Sequence, residues 1–153
     1  MEVKNKVNRI LEVSLSLIMA VMVINVLWQV FSRYVLGAPS SFTDELARYL
    51  MIWLGILGAA YVSGRRMHVA IDLFASDAHE DRKRRIKIVV YMMVILFAFT
   101  AFVIGGSRLV YITFVLDQHS PALQMPLAMV YLVIPLSGIL IIFYKVSDLL
   151  DLK

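Results

Sequence analysis

The sequence predicts an all-α integral membrane protein with four transmembrane helices. Apolar residues make up 61% of its 153 residues, and the mean hydropathy is +0.81, whereas soluble domains carry roughly 45–50% apolar residues. They are concentrated in four segments, each near or above the ~17–25 residues that cross a bilayer as a helix. The segments are Ile10 to Val35, Phe42 to Val62, Ile86 to Leu116 and Leu127 to Tyr144. We therefore treat residues 1–153 as a single four-helix membrane domain.

The distribution of positive charge predicts that both termini are cytoplasmic. Most basic residues fall in the N-terminal segment, in the connection between the second and third helices, and in the C-terminal tail. They are Lys4, Lys6, Arg9, Arg65, Arg66, Arg82, Lys83, Arg84, Arg85, Lys87, Lys145 and Lys153. Because cytoplasmic loops carry the excess of lysine and arginine, these three regions are assigned to the cytoplasmic side. The net charge of +4 thus indicates topology and lipid-headgroup contact, and it does not indicate nucleic-acid binding.

The first predicted helix begins with basic residues, as a secretory signal does, but its apolar run is too long and lacks a small-residue cleavage site. We interpret it as a true span. It carries Asn25, Gln29, Ser32 and Arg33 at spacings that place them on one helical face. Such groups either hydrogen-bond within the chain's own four-helix packing or face a second membrane subunit. The sequence leaves both interpretations open.

The second predicted helix has a charged start. Ser41 fits an N-cap with Asp44 three residues later, and the helix dipole favours Asp44 and Glu45 in the first turn. Arg48 follows four residues after Asp44 and three after Glu45, so the three side chains are expected to pair. The short connection from the first helix also brings Arg33 close, which predicts a small ion-pair cluster on the outer side.

Further along the second helix, small residues recur at helical spacing. After Trp53, Gly55, Ala59 and Ser63 recur every four residues, with Gly58 beside them. Small residues at this spacing allow another helix to approach closely within lipid. We therefore predict a helix-docking face here. In the fourth helix, Pro135 is expected to cause a kink, because its missing N–H frees a carbonyl that Ser137 or a neighbouring helix would have to satisfy.

Several kinds of chemistry are missing from the sequence. Cysteine is absent, so disulfides, thiolate metal sites and cysteine nucleophiles are excluded. The mid-depth positions of all four segments lack Asp, Glu, Lys, Arg and His, the residues that mark ion and proton pathways. The three histidines, His68, His79 and His119, lie in predicted loops or at their edges, which argues against haem ligation. The sequence therefore predicts no enzyme and no cofactor site, and it disfavours a self-contained carrier such as a small homodimeric exporter.

Specific motifs resemble the small membrane subunit of tripartite ATP-independent periplasmic (TRAP) transporters, the DctQ-like family. They are Asn25, Arg33-Tyr34, the stretch FTDELARYLMIWLGILGAA, the HVAID at His68 to Asp72, and SPALQMPLAMVYLVIPLSG from Ser120 to Gly138. The most specific set is Asp44, Glu45, Arg48, Trp53 and Gly58. Two departures, Asp44 for the usual glutamate and Phe42 for a common tryptophan, keep the chemical type.

The resemblance implies a role without chemistry of its own, in a bacterial inner membrane. In such transporters a periplasmic substrate-binding protein captures an organic acid, such as a C4-dicarboxylate or sialic acid. A large multi-spanning membrane subunit then moves it inward with sodium. The small subunit braces the large one and helps receive the binding protein, so sodium is expected in the partner and not in this chain. The alternative is a four-helix accessory or assembly subunit of another membrane complex, which the physical pattern fits equally well.

Overall fold

A computed structural model of the protein describes residues 2–38, 40–65 and 80–150. The segments before the third transmembrane segment are α1 (Glu2–Tyr34) and α2 (Ser41–Gly64). The third segment consists of α3 (Glu80–Phe97), a π-helix (Ala98–Gly105) and α4 (Gly106–Val115), and the fourth of α5 (Leu127–Tyr131) and α6 (Val133–Leu150). The predictions for Arg66, for the HVAID motif and for His79 lie outside the described residues.

Four helices of the described chain are long and apolar enough to cross a membrane, which confirms the predicted fold class. They span Lys4–Tyr34, Ser41–Gly64, Arg82–Val115 and Leu127–Leu150. The last of these runs six residues beyond the expected end at Tyr144, so Lys145 belongs to a helix and not to a tail. The basic run from Arg82 to Lys87 is likewise helical, because α3 already begins at Glu80.

The start of α2 differs from the prediction by one residue. Ser40, and not Ser41, is the N-cap: its backbone is extended, and its hydroxyl accepts a hydrogen bond from the Thr43 N–H at 3.5 Å. Ser41 is the first helical residue. Asp44 still lies in the first turn, where the helix dipole favours its charge. Glu45 lies just beyond that turn, which frees its side chain for the different role described below.

The core lies between α1, α2 and α6. Leu11, Leu57, Val133 and Tyr144 form one buried apolar cluster, and Ala60, Ala98 and Ile141 form a second. α2 and α6 approach each other closely at Gly64, where an added Cβ would lie 2.7 Å from the Tyr144 ring. Glycine therefore allows the C-terminal ends of these two helices to pack closely.

The third segment contains a π-helix that the sequence analysis did not predict. It spans Ala98–Gly105 and packs against α6. A Cβ on Gly138 of α6 would lie 2.7 Å from the Phe102 Cβ. The wider helix brings its backbone almost onto α6, and only a glycine fits at the crossing.

Pro135 interrupts the fourth segment, as expected, but the break lies three residues earlier. The helix is interrupted at Leu132, between α5 and α6. A proline lacks the N–H that would bond the carbonyl four residues before it, here that of Tyr131, and its ring clashes with that carbonyl. The disturbance is therefore on the N-terminal side of the proline. Ser137 donates to the Ile134 carbonyl at 3.1 Å and so does not satisfy the freed one.

Candidate functional site

Polar side chains on one face of α1 form hydrogen bonds with the start of α2 and with the connection that leads to it. The Asn25 amide nitrogen donates to the Thr43 carbonyl at 2.8 Å, and the Ser32 hydroxyl donates to the Ala38 carbonyl at 3.1 Å. Both polar side chains are buried. Because a buried polar group without a partner is costly, these bonds fix the α1–α2 connection in one conformation. Two members of the face are thus engaged within this chain.

The other two members of that face meet Asp44. The Gln29 amide donates to the Asp44 carboxylate, and an Arg33 Nη atom lies 3.9 Å from an Asp44 carboxylate oxygen. Both charged side chains of this pair are about half exposed. Such an ion pair contributes only ~0–1 kcal/mol. The predicted ion-pair cluster is therefore present as an Arg33–Asp44 pair, but it does not include Glu45.

Glu45 binds a loop instead of a cation. Its side chain is only 6% exposed, and one carboxylate oxygen accepts hydrogen bonds from the backbone N–H groups of Ala122 and Leu123 at 2.8 and 2.9 Å. The other oxygen accepts from the Tyr49 hydroxyl at 2.8 Å. Hydrogen bonds to a charged acceptor are the strong ones. The predicted pairing of Glu45 with Arg48 is wrong, because the three donors occupy the carboxylate.

The loop that Glu45 holds, residues 116–126, is closed by its own backbone bonds. The Ser120 N–H donates to the Met125 carbonyl and the Leu127 N–H to the Gln118 carbonyl, both at 2.9 Å. The Gln124 N–H donates back to the Ser120 carbonyl at 3.0 Å. Gln124 also has a positive φ of 55°. We call residues 116–126 the Glu45-bound loop.

Arg48 is exposed and has no ion-pair partner among residues 2–38, 40–65 and 80–150. The predicted Asp44–Glu45–Arg48 cluster is therefore wrong, since Asp44 turns towards α1 and Glu45 towards the loop. On the same outward side of α2 lie Gly55 and Ala59, both exposed. A Cβ added to Gly55 or Gly58 would meet nothing within 4 Å. The part of the predicted docking face formed by Gly55 and Ala59 is thus open in this chain, whereas Ser63, which was predicted to belong to the same face, is buried.

Trp53 joins α2 to the break in the fourth segment. Its indole Nε1–H donates to the Val130 carbonyl at 3.1 Å, next to the helix interruption. Beside it lies an apolar groove of about 470 Å³. The groove is lined by Leu46, Tyr49, Leu50, Trp53, Met125, Met129, Val130 and Leu132. Trp53 therefore fixes how the fourth segment sits against α2.

We expect Trp53→Phe to lower the stability of the folded chain by about 1–2 kcal/mol, because the Val130 carbonyl loses its indole donor. Trp28→Phe is the matched control, since Trp28 is 54% exposed and its substitution should change stability by less than about 0.5 kcal/mol. Thermal unfolding in detergent measures both. Equal shifts in Tm for the two variants would contradict the structural role of the indole bond.

A second polar cluster lies at the opposite end of the bundle, and the sequence analysis missed it. Lys145 is fully buried and Asp148 is 2% exposed. The Lys145 ammonium lies 3.3 Å from the Asp148 carboxylate and donates to the Ser63 carbonyl at 3.0 Å. Lys4 lies 2.6 Å from the same carboxylate. This cluster ties α1, α2 and α6 together.

Neither cluster lies at mid-bilayer depth, because Glu45 is near the start of α2 and Lys145 is in the last two turns of α6. The chain therefore buries ionisable groups at the two ends of the bundle. Within the described ranges, no three His, Cys, Asp or Glu side chains are grouped so that they could hold a metal ion.

Comparison with known proteins gives the family. Residues 22–152 match the model of the DctQ component of tripartite ATP-independent periplasmic transporters. A Haemophilus influenzae protein provisionally named a TRAP transporter small permease protein is 27% identical over 145 residues, which cover 95% of this chain and 88% of that protein. The sialic acid TRAP transporter small permease protein SiaQ of Vibrio cholerae is 29% identical over 103 residues, covering 67% of this chain and 58% of SiaQ. The chain, a multi-pass membrane protein and not an enzyme, thus belongs to the DctQ family of TRAP transporter small permease subunits.

Proposed function

We propose that this subunit braces the large membrane subunit of a sodium-coupled TRAP transporter for organic acids and helps to dock the periplasmic substrate-binding protein. Sialic acid, which the name of the Vibrio cholerae relative gives as the substrate of its transporter, is one candidate. The position of the buried ionisable groups at the two ends of the bundle supports a scaffold role, because ionisable groups within the membrane usually mark ion and proton pathways. Sodium and substrate are assigned to the large subunit.

The outward side of α2 carries the proposal. Its exposed residues include Gly55 and Ala59, whereas the exposed side of α1 carries Ile10, Leu17 and Ile24. Large aliphatic side chains suit contact with lipid, but small residues suit the close approach of another helix. Arg48 lies on the same side of α2 without an ion-pair partner in the described chain, so a carboxylate on the partner helix would complement it.

The orientation that we propose follows from the basic residues. Lys4, Lys6 and Arg9 precede the first span, and Arg82 to Lys87 lie at the start of the third. The positive-inside rule therefore places both termini and the α2–α3 connection in the cytoplasm. In a bacterial inner membrane, the Glu45-bound loop and the α1–α2 connection would then face the periplasm, where a binding protein arrives.

Co-purification tests the proposal. We expect a tagged wild-type chain to bring down a larger multi-spanning protein, and Ala59→Leu to reduce that yield about tenfold, because the added side chain blocks close approach of the partner helix. Ala20→Leu is the matched control, since Ala20 is exposed on α1 and should leave the yield unchanged. Recovery of no multi-spanning partner would contradict the proposed function, and recovery of an unrelated complex would favour the accessory-subunit alternative.

A further inference from the structure

We infer that the Glu45-bound loop is the surface of this subunit that contacts the substrate-binding protein, and that Glu45 is the residue that positions it. The inference rests on the proposed function, which supplies the partner and places the loop in the periplasm. It adds to that function the contact surface, the residue that orders it and the chemistry of the partner's surface.

The Glu45-bound loop is fixed in a conformation of its own. Surface loops are ordinarily the mobile parts of a protein. Here three backbone bonds close residues 118–127 on themselves, and the Glu45 carboxylate binds the N–H groups of Ala122 and Leu123 from a different helix. A loop ordered before binding loses less conformational entropy when a partner contacts it. Binding residues are commonly found on loops that a rigid scaffold positions in this way.

Burying the Glu45 carboxylate beside the loop has a cost in free energy. Removing a carboxylate from water is unfavourable unless hydrogen bonds replace the water, and Glu45 is 6% exposed. A simple connection between α4 and α5 does not require an acidic group from α2. Apolar packing would suffice to hold a connector, whereas a carboxylate that accepts two backbone N–H groups sets the orientation of individual peptide units.

The ordered loop exposes a set of polar side chains to solvent. The Asp117 side chain is 90% exposed, and Gln118, His119 and Gln124 are also exposed. The His119 Nδ1 atom lies 2.9 Å from the Asp117 carbonyl oxygen and 3.7 Å from an Asp117 carboxylate oxygen. The exposed surface of the loop carries one carboxylate and several polar side chains, together with the apolar side chains of Leu116 and Met125. It fits a soluble protein that offers hydrogen-bonding groups and a lysine or arginine, and it does not fit an anionic lipid headgroup.

The test uses the complete transporter in vesicles, with uptake measured against the concentration of its substrate-loaded binding protein. We expect the double variant Asp117→Asn with Gln118→Arg to raise the KM for the binding protein about tenfold at unchanged Vmax, because a charge at a contact surface mainly affects encounter and affinity. Asparagine tolerates the positive φ of 48° at position 117. The matched control is Asn5→Arg with Glu12→Gln, which changes the net charge by the same amount. Both residues are exposed and lie in the N-terminal half of α1, at the end of the bundle opposite the loop.

Glu45→Gln tests the positioning role. Glutamine keeps the size of the side chain but loses the charge that strengthens the bonds to Ala122 and Leu123. We expect a several-fold higher KM for the binding protein, with Vmax and the yield of the large subunit unchanged; a general loss of folding would instead lower Vmax and the yield. If Glu45→Gln fails to fold, the double loop variant decides alone.

Unchanged KM in the double loop variant would overturn the inference, and so would a KM that follows the lipid composition of the vesicles instead of the loop sequence. Neither result would affect the proposed function, whose failure is a missing multi-spanning partner in co-purification.

Discussion

Replacing Asp148 with alanine is expected to destabilise the folded chain by about 3–5 kcal/mol, because it removes a buried carboxylate that lies 3.3 Å from the Lys145 ammonium. Lys145 is fully buried and lies 5.1 Å from the centre of the Tyr91 ring. Neither that ring nor the Ser63 carbonyl carries the full negative charge of the lost aspartate. The variant should also release the N-terminus of α1, because Lys4 loses the same partner.

The matched control is Glu12→Ala. Glu12 is 55% exposed and its carboxylate lies 3.6 Å from Arg65, so this surface pair contributes ~0–1 kcal/mol. The double variant Lys145→Met with Asp148→Leu removes both buried charges and should be more stable than Asp148→Ala alone, since apolar residues of similar size can replace a buried pair. Thermal unfolding in detergent compares all three. A Tm for Asp148→Ala equal to that for Glu12→Ala would contradict the role of this cluster.

The fold class could be predicted because membrane spans are set by length and composition, which are local properties. The interruptions inside the spans were harder to predict from the sequence. The break at Leu132 precedes Pro135 because a proline disturbs the carbonyl four residues before it. The π-helix Ala98–Gly105 contains no proline from which it could have been predicted. It depends on close packing against α6, at Gly138, and such a tertiary contact cannot be derived from the local sequence.

The contacts of Glu45 could not be predicted from the sequence. Spacing places Asp44, Glu45 and Arg48 within reach of one another along α2, yet Glu45 binds backbone N–H groups of a loop 77 residues away. Side chains three and four residues apart pair when no stronger partner is near. A buried carboxylate forms stronger hydrogen bonds with backbone N–H groups that have no other partner, and the loop supplies such groups. One local signal was present, since Tyr49 follows Glu45 by four residues and donates to it.

For the small residues of α2 as well, the sequence did not predict which contacts they make. Helical periodicity predicts that small residues in α2 allow close helix contact, but it does not say on which side of the helix. In the structure, Ala60, Ser63 and Gly64 face inward and are buried, whereas Gly55 and Ala59 face outward. The chain thus has close internal contacts at glycines such as Gly64 and Gly138, and an open face for a partner at Gly55.

Gly138→Leu is accordingly expected to destabilise the isolated chain by about 3 kcal/mol, the upper end of the usual cost of overpacking. A Cβ at this position would lie 2.7 Å from the Phe102 Cβ and 3.3 Å from the Val103 backbone nitrogen. The backbone of the π-helix cannot move aside as a flexible side chain would. We therefore expect α6 to separate from the third segment and the Tm in detergent to fall.

Gly55→Leu is the same substitution at a position where an added Cβ would meet nothing within 4 Å, so the stability of the isolated chain should change by less than about 0.5 kcal/mol. Its effect should appear only in the complex, as a lower yield of the co-purified large subunit. The two variants thus separate internal packing from assembly. If Gly55→Leu lowered the Tm of the isolated chain as much as Gly138→Leu, the outward face of α2 would be filled by the chain itself and would not be available to a partner.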